Sequence, residues 1–396
     1  MYILLYADDT LILSESPNEL QNALDEVDIY CQKWGLTINQ TKTEVVIFSR
    51  GKVREKQNFK IGRANIKTSS EYCYLGLIFN FNGKLTRAIK DRLTPARKAM
   101  FSLNEKAVKL LLPPDIHLDL FDKMIAPILL YGSEIWGYGN IEPLELFHRR
   151  FLKRMLGIHQ NTPNCIVYGE VGKKPLKNQI FLRMVSFWSK ISEGKEHKLS
   201  TLMYKLIYSL HLNGTYHSPW LLGIKKILCD SGNPNFWFYQ ATKPNISILK
   251  AIISSQLNNQ FLQEWNYQIY NNRRCIFYRT FKDIFRFEPY LKNLDFLDRR
   301  ALCNIRTGSH NLPVTKQRYS RNVQVVVSCK YCNANYCDEH HILFECDYFK
   351  EKREMYIKKF YCIKPSAIKT NSLFNSGIKN TYNLAKFSKH LLTQFK

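Results

Sequence analysis

Two short apolar runs, Tyr2 to Ala7 and Thr10 to Ser14, open the chain on either side of Asp8-Asp9. They are rich in β-branched, aromatic and leucine side chains, and Asp tolerates unusual turn dihedrals, so the pattern predicts a β-hairpin with a two-residue Asp8-Asp9 connection and both carboxylates at its tip. Ser16-Pro17-Asn18-Glu19 then reads as an N-cap, a proline at the first helical position and a capping-box glutamate. Leu20, Leu24, Val27, Cys31 and Trp34 recur at helical spacing, and Gly35 is placed to end that helix. Strand patterns follow over Glu44 to Ser49, over Phe59 to Thr68 with Gly62-Arg63 as a turn, and over Tyr72 to Asn80, stopped by Phe81-Asn82-Gly83.

The period then lengthens. Leu85, Ile89, Leu93, Ala96, Met100 and Leu103 form one apolar helix face, while Lys84, Arg87, Lys90, Arg92, Arg97 and Lys98 leave the remainder basic. Pro113-Pro114, Gly157 and Asn161-Thr162-Pro163 are breaks between further helices. From about Lys173 to Leu294 the patterns stay helical and carry no recognisable motif. The chain therefore reads as α+β, with antiparallel strands and a helix in 1–84, helices in 85–160 and in 161–320, and a small metal-binding C-terminal segment in 321–396, polar and turn-rich before Tyr348-Phe349. No run reaches the ~18 uncharged apolar residues of a membrane span, and the apolar start has no basic leader, so neither a membrane partner nor a signal peptide is expected. Eleven cysteines in that setting imply a reducing, intracellular compartment.

Two patterns bear chemistry. Carboxylates ~4 Å apart repel by about 1 kcal/mol in water and about 4 at an effective dielectric of 20, so paired aspartates on a hairpin tip call for a cation. Mg²⁺ takes oxygen ligands and substrate phosphates, and two such ions can activate an attacking 3′ oxygen and stabilise a leaving pyrophosphate. Taken alone, the dipeptide is more often an ordinary solvated turn. At the other end, Cys329 and Cys332 form a C-x2-C pair followed by His341 and Cys346 with H-x4-C spacing. Two thiolates, an imidazole and a third thiolate make a closed, structural Zn²⁺ site, with Cys337 and His340 as neighbours able to substitute.

Charge points to the partner. Lys and Arg number 58 against 33 Asp and Glu, a formal charge of +25 that attracts phosphate backbones over a broad surface. His148-Arg149-Arg150, Lys153-Arg154 and Arg299-Arg300 are local clusters with Tyr and Phe nearby that can stack on unpaired bases. For any one cluster a solvated helix face is the commoner account; the summed charge is harder to dismiss.

Tyr6-Ala7-Asp8-Asp9, the order hairpin, helix, strand and hairpin, Gly35-Leu36 before Asn39 and Lys42-Thr43, and then Tyr74-Leu75-Gly76 together resemble the palm of non-LTR (LINE-type) retrotransposon reverse transcriptases, from catalytic hairpin to primer grip. Leu129-Leu130-Tyr131-Gly132-Ser133-Glu134-Ile135-Trp136-Gly137 and Leu302-Cys303-Asn304-Ile305-Arg306-Thr307-Gly308-Ser309-His310 are similar to segments such proteins carry after the palm. The run from Cys329 to Cys346 resembles their Cys-Cys-His-Cys finger, with His341 as the ligand.

The resemblance implies that Asp8 and Asp9 bind catalytic Mg²⁺, that Tyr6 stands beside the primer terminus, and that Tyr74, Leu75 and Gly76 seat the primer. Lys42, between palm strands, is a candidate to assist the leaving pyrophosphate, although a surface lysine after a helix is the commoner case. Residues 85–160 would be the thumb and connection, with Arg87, Lys90, Arg97, Lys98, Arg149, Arg150, Lys153 and Arg154 against nucleic acid. The partners implied are an RNA template and a DNA primer or target, hence access to chromosomal DNA in the nucleus. The family's fingers and third metal-binding aspartate lie before the hairpin, where this sequence offers nothing beyond Met1. The chain is therefore expected to be a C-terminal part of an RNA-directed DNA polymerase, inactive by itself. A reading of a different class is a non-catalytic, zinc-containing RNA- or DNA-binding protein; a decayed element copy is a third.

Overall fold

The computed structural model describes residues 2–49, 57–195, 197–240, 243–319 and 327–395, and the chain divides into two compact units, Met1–Asp91 and Arg92–Lys396. The boundary expected at 320 lies outside the described residues.

In the smaller unit β1 (Tyr2–Tyr6) and β2 (Asp9–Leu13) pair antiparallel, from Tyr2 opposite Leu13 to Tyr6 opposite Asp9. Helix α1 (Pro17–Trp34) begins where the Ser16 hydroxyl accepts from the Glu19 amide at 3.3 Å and ends at Gly35, whose φ of 65° lets the chain turn left-handed. Strands β3 (Glu44–Val45), β4 (Phe59–Ile61) and β5 (Ala64–Thr68) form a sheet in which β5 is central, parallel to β3 and antiparallel to β4. The apolar face of α1 closes over this sheet: Leu24, Val45, Phe59, Ile61 and Ile66 are its core, and Ile12 of β2 packs against it. That contact ties the first hairpin to the rest of the unit. A second hairpin, β6 (Glu71–Tyr74) with β7 (Leu77–Asn80), and α2 (Thr86–Asp91) complete it.

Three local expectations change. The run from Tyr72 to Asn80 is a hairpin rather than one strand, because Leu75 and Gly76 both take positive φ (47° and 74°) and fold the chain back. The strand at Glu44 stops at Val45, since its partner β5 ends at Thr68, opposite Val45. The helix read through Leu85 to Leu103 is broken between α2 and α3 (Leu93–Lys109). Pro95 has no amide to donate to the Asp91 carbonyl and its ring crowds that carbonyl, so a helix cannot run through.

The larger unit is helical. After α3 come α4 (Pro114–Leu120), a wide turn at Phe121–Ile125, α5 (Ala126–Leu130), α6 (Ser133–Trp136), α7 (Glu142–Leu156), α8 (Asn164–Val171) and α9 (Leu176–Ser192). Then follow α10 (Leu199–Leu212), α11 (Pro219–Asp230), α12 (Asn235–Phe238), α13 (Ile246–Asn271), α14 (Tyr290–Asn293) and α15 (Phe296–Thr307). The last are α16 (Pro313–Tyr319), α17 (Lys350–Tyr356), α18 (Lys359–Cys362), α19 (Ala367–Phe374) and α20 (Ile378–Gln394). Among the described residues no helix is long and apolar enough to cross a membrane. The Leu129 to Gly137 motif has a packing role here: Trp136 is fully buried with its indole N–H donating to the Tyr131 carbonyl at 3.0 Å, and a Cβ at Gly137 would lie 2.4 Å from Ile180 Cγ2 of α9.

A buried charge network crosses this unit. The Arg306 guanidinium of α15 donates to Glu170 Oε1 and Oε2 at 3.0 to 3.2 Å and meets Glu288 Oε2 at 3.0 Å. Lys282 pairs with Glu288, and the Tyr290 hydroxyl donates to Glu170 at 2.6 Å. Burial alone would raise the Glu170 carboxyl, but Arg306 and Lys282 outweigh it and hold Glu170 below its ordinary range. Phe281, Tyr290 and Phe374 of α19 present ring faces to Arg306 at 4.7, 5.0 and 5.8 Å. The two carboxylates meet because Val171 bridges to Phe287 and the Glu288 amide donates to the Glu170 carbonyl at 3.0 Å. That approach requires Gly172: its φ is 59° and a Cβ there would lie 2.3 Å from the Phe287 nitrogen. Replacing Arg306 by Ala strands two buried carboxylates and is expected to cost about 3–5 kcal/mol, seen as a lower urea midpoint for the larger unit; an unchanged midpoint would show the network to be dispensable.

Candidate functional site

At the tip of the first hairpin the turn is Ala7-Asp8, not Asp8-Asp9, because Asp9 pairs with Tyr6 as the first residue of β2. Ala7 takes φ 52°, a left-handed conformation that costs a side-chain-bearing residue about 1 kcal/mol or more. Asp8 thus stands in the turn and Asp9 beside it at the strand end, both exposed, next to an exposed Tyr6. Tyr72 of β6 feels this tip. Burial is the first cause of its raised pKa, and the negative charges of Asp9 and Glu44 are the next two. The two hairpins are therefore electrostatic neighbours. Tyr74 closes β6, and Leu75 and Gly76 form the turn after it. Lys42 is exposed in the turn after α1, its amide donating to Asn39 Oδ1 at 3.2 Å. Two carboxylates suit Mg²⁺, which is ordinarily held by one or two of them together with substrate phosphates. Among the described residues no third Asp, Glu, His or Cys lies close enough to share an ion with them.

The basic residues separate into exposed and engaged. Arg87, Lys90, Arg97 and Lys98 are exposed, with Arg87 Nε 3.7 Å from Glu71. The cluster on α7 is not one patch. Leu144, Phe147, His148, Phe151 and Leu152 occupy the inward face at helical spacing. His148 stacks on Phe121 at 5.2 Å, and burial lowers its pKa to about 3. Lys153 is also buried. Its ammonium donates to the Gln160 carbonyl at 2.7 Å, and burial, helped by Arg149, lowers its pKa to about 8. Arg149 is paired with Glu142, so Arg150 and Arg154 remain as the exposed cations of this run. Arg299 is half-buried and donates to the Leu291 and Leu294 carbonyls at 3.4 and 3.5 Å.

The C-terminal cysteines and histidine converge. One ligand atom from each of Cys329, Cys332, His341 and Cys346 lies within 4.8 Å of all the others. The Cys329 and Cys346 sulfurs are 3.9 Å apart, and Cys332 Sγ is 3.2 Å from His341 Nε2. A tetrahedral zinc with ~2.3 Å bonds to sulfur separates two sulfurs by about 3.8 Å, so the donor set fits. Local folding explains the convergence. Asn333, at φ 60°, closes the knuckle as its amide donates to the Cys329 carbonyl at 2.9 Å, and a wide helical turn from His341 to Glu345 brings Cys346 back to the His341 carbonyl at 2.8 Å. His341 Nδ1 is buried without a hydrogen bond and faces Glu345 Oε2 at 3.7 Å, the carboxylate placed to orient a metal-bound imidazole.

Burial raises the Cys329 thiol, but the Tyr331 and Cys332 amides and His341 bring it down to about 6. Cys346 and Cys337 are both pushed up to about 12 by burial and neighbouring thiols.

Two features of the segment escape sequence reading. Glu339, between the ligands, is fully buried, accepts from Arg318 Nη2 at 2.7 Å and meets His310 Nε2 at 3.1 Å, which joins the thiol cluster to the Gly308-Ser309-His310 turn after α15. Burial alone would raise its carboxyl; the His310 hydrogen bond and the Arg318 charge hold it at about 2. Glu345 is the second. Neither has a spacing rule to reveal it. The purified chain is expected to hold one zinc, lost in Cys346→Ser and kept in Cys337→Ser, with chelation lowering the thermal midpoint of the holo chain. Retention of zinc by Cys346→Ser, or its loss from Cys337→Ser, measured by metal analysis, would overturn the ligand assignment.

Comparison with known proteins agrees with the first hairpin. A profile of the reverse transcriptase (RNA-dependent DNA polymerase) family matches residues 1–79. An uncharacterized transposon-derived protein of Caenorhabditis elegans is 29% identical over 161 residues, covering 39% of this chain and 56% of that protein. The RNA-directed DNA polymerase from mobile element jockey of Drosophila funebris is 24% identical over 165 residues, 39% of this chain and 18% of that protein. The chain thus spans about half the length of the first relative and under a fifth of the second. The Asp8-Asp9 hairpin lies inside the residues that match the reverse transcriptase family, and together with the transposon-derived and jockey relatives this match supports the resemblance to non-LTR retrotransposon reverse transcriptases.

Proposed function

We propose that this chain serves as part of a LINE-type RNA-directed DNA polymerase, contributing two metal-binding aspartates, the primer seat and a zinc-held, nucleic-acid-binding end. The observation that carries the reading is that the reverse transcriptase match over 1–79 includes the hairpin whose turn presents Asp8 and Asp9 beside the Tyr72 hairpin. Bound there, Mg²⁺ supplies activation of the attacking 3′ oxygen and relief of charge on the leaving pyrophosphate.

The chain's own residues divide the remaining work. Tyr6 lies against the primer terminus, and Tyr74, Leu75 and Gly76 seat the primer strand through a turn whose backbone is already fixed. Lys42, exposed after α1, lends positive charge to the pyrophosphate side. Arg87, Lys90, Arg97, Lys98, Arg150 and Arg154 hold phosphates of RNA template and DNA primer or target, a contact that weakens steeply as salt rises. Zinc at Cys329, Cys332, His341 and Cys346 keeps its short segment folded.

One observation favours the second reading, a non-catalytic zinc-containing RNA- or DNA-binding protein: among the described residues four side chains suited to a structural zinc converge, whereas the hairpin tip gathers only two carboxylates. The two readings part on metal dependence. Mn²⁺ used as a magnetic probe in place of Mg²⁺, with primer–template and a non-hydrolysable deoxynucleotide present, is expected to bind the chain and to lose that site in Asp8→Asn. If Asp8→Asn changes nothing while zinc chelation abolishes duplex binding, the non-catalytic reading stands instead. By itself the 396-residue chain is expected to extend no primer. Template-directed extension abolished by Asp8→Ala would refute that.

A further inference from the structure

The long helix α13 ends in a surface that none of the motifs accounts for. A shallow, wide-open cleft of about 510 Å³ lies there, lined by Tyr267, Gln268, Asn271, Asn272 and Arg273. Tyr267 and Tyr270, one helical turn apart, are 65% and 60% exposed. One tyrosine in water is ordinary. Two on the same face beside a cleft and a run of arginines make a stacking platform.

Arginine dominates the charge around them. From Trp265 to Phe281 the sequence has Arg273, Arg274 and Arg279 and no acidic residue. Arg279 Nη1 donates to the Tyr270 carbonyl at 2.7 Å, which fixes its guanidinium at the helix end, and Arg273 is exposed on the cleft wall. Of the flanking acids, Glu264 accepts from cleft-lining Gln268 Nε2 at 2.6 Å and so brings one carboxylate to the cleft, while Asp283 accepts from Asn371 Nδ2 at 2.7 Å. The partial negative charge of the helix C-terminus, about half an electron, is met by the Arg279 guanidinium bonded to the Tyr270 carbonyl. Asn271 donates to the Tyr267 carbonyl at 2.9 Å and Asn272 accepts from the Arg274 amide at 2.9 Å, so both amides are held in place at the cleft.

We infer that this cleft binds an unpaired nucleotide of single-stranded nucleic acid, its base stacked on Tyr267, the next base on Tyr270, and the connecting phosphates on Arg273 and Arg279. In a duplex the base faces are already covered by their neighbours, which restricts the platform to unpaired strands. The inference rests on the nucleic-acid reading proposed above and adds to it which strand state this surface takes.

The test is fluorescence anisotropy of the full chain with a labelled thymidine homopolymer and with a duplex of equal length. Tyr267→Ala is expected to weaken homopolymer binding about fivefold or more, Tyr267→Phe to restore it, and neither to alter duplex affinity. Tyr267 is mostly exposed and supports no core contact whose loss would unfold the chain. If the parent chain binds the homopolymer and Tyr267→Ala binds it equally, or if Tyr267→Ala weakens both probes alike, the cleft is not a stacking site. If the parent chain binds neither probe, the nucleic-acid reading itself fails.

Discussion

Arg306 is the residue around which the larger unit is organised. A guanidinium removed from water is tolerated only where the protein returns its charge and hydrogen bonds, and here two carboxylates and three aromatic faces do so. Those partners come from α8, from the segment before α14, from α14 itself and from α19, so elements far apart in sequence are brought to one point. The same helix, α15, is capped at its start by Asp295 and at its end by Gly308, after which Ser309 accepts from the His159 amide and His310 meets Glu339 beside the thiol cluster. The position of the thiol cluster thus depends on the position of α15, and that of α15 on the satisfaction of Arg306.

What the sequence disclosed follows from how local each signal is. Ser16, Pro17, Glu19 and Gly35 announced α1 because capping is settled within a turn of chain. The convergence of Cys329, Cys332, His341 and Cys346 was legible for a similar reason, since knuckle and helical-turn spacings are short. The turn at Leu75-Gly76 was missed because leucine rarely takes positive φ, and the Ala7-Asp8 turn because alanine is a less usual turn residue than aspartate. Non-local interactions left no mark at all. Glu170 and Arg306 are 136 residues apart, and nothing in either neighbourhood names the other.

Charge is the clearest instance of composition needing structure. A net +25 says that the surface attracts phosphate, but not which cations face it. On α7, helical period turns His148 and Lys153 inward and leaves Arg150 and Arg154 outside, so a run that reads as one basic patch carries half its charge to solvent. On α13 the sequence looked featureless because its tyrosines and asparagines follow no known spacing; exposure and a cleft are what distinguish them.

Gly172 joins shape to charge. With the Phe287 nitrogen 2.3 Å from where a Cβ would stand, the smallest possible side chain at 172 would push apart the two backbone segments that carry Glu170 and Glu288. Neither carboxylate would then be held at Arg306, and the cation would be left with fewer counter-charges in the same dry surroundings. Side-chain volume at one position and electrostatic balance at another are therefore a single variable, and a change that adds no charge anywhere would be felt by the fold as an ion left without its partner.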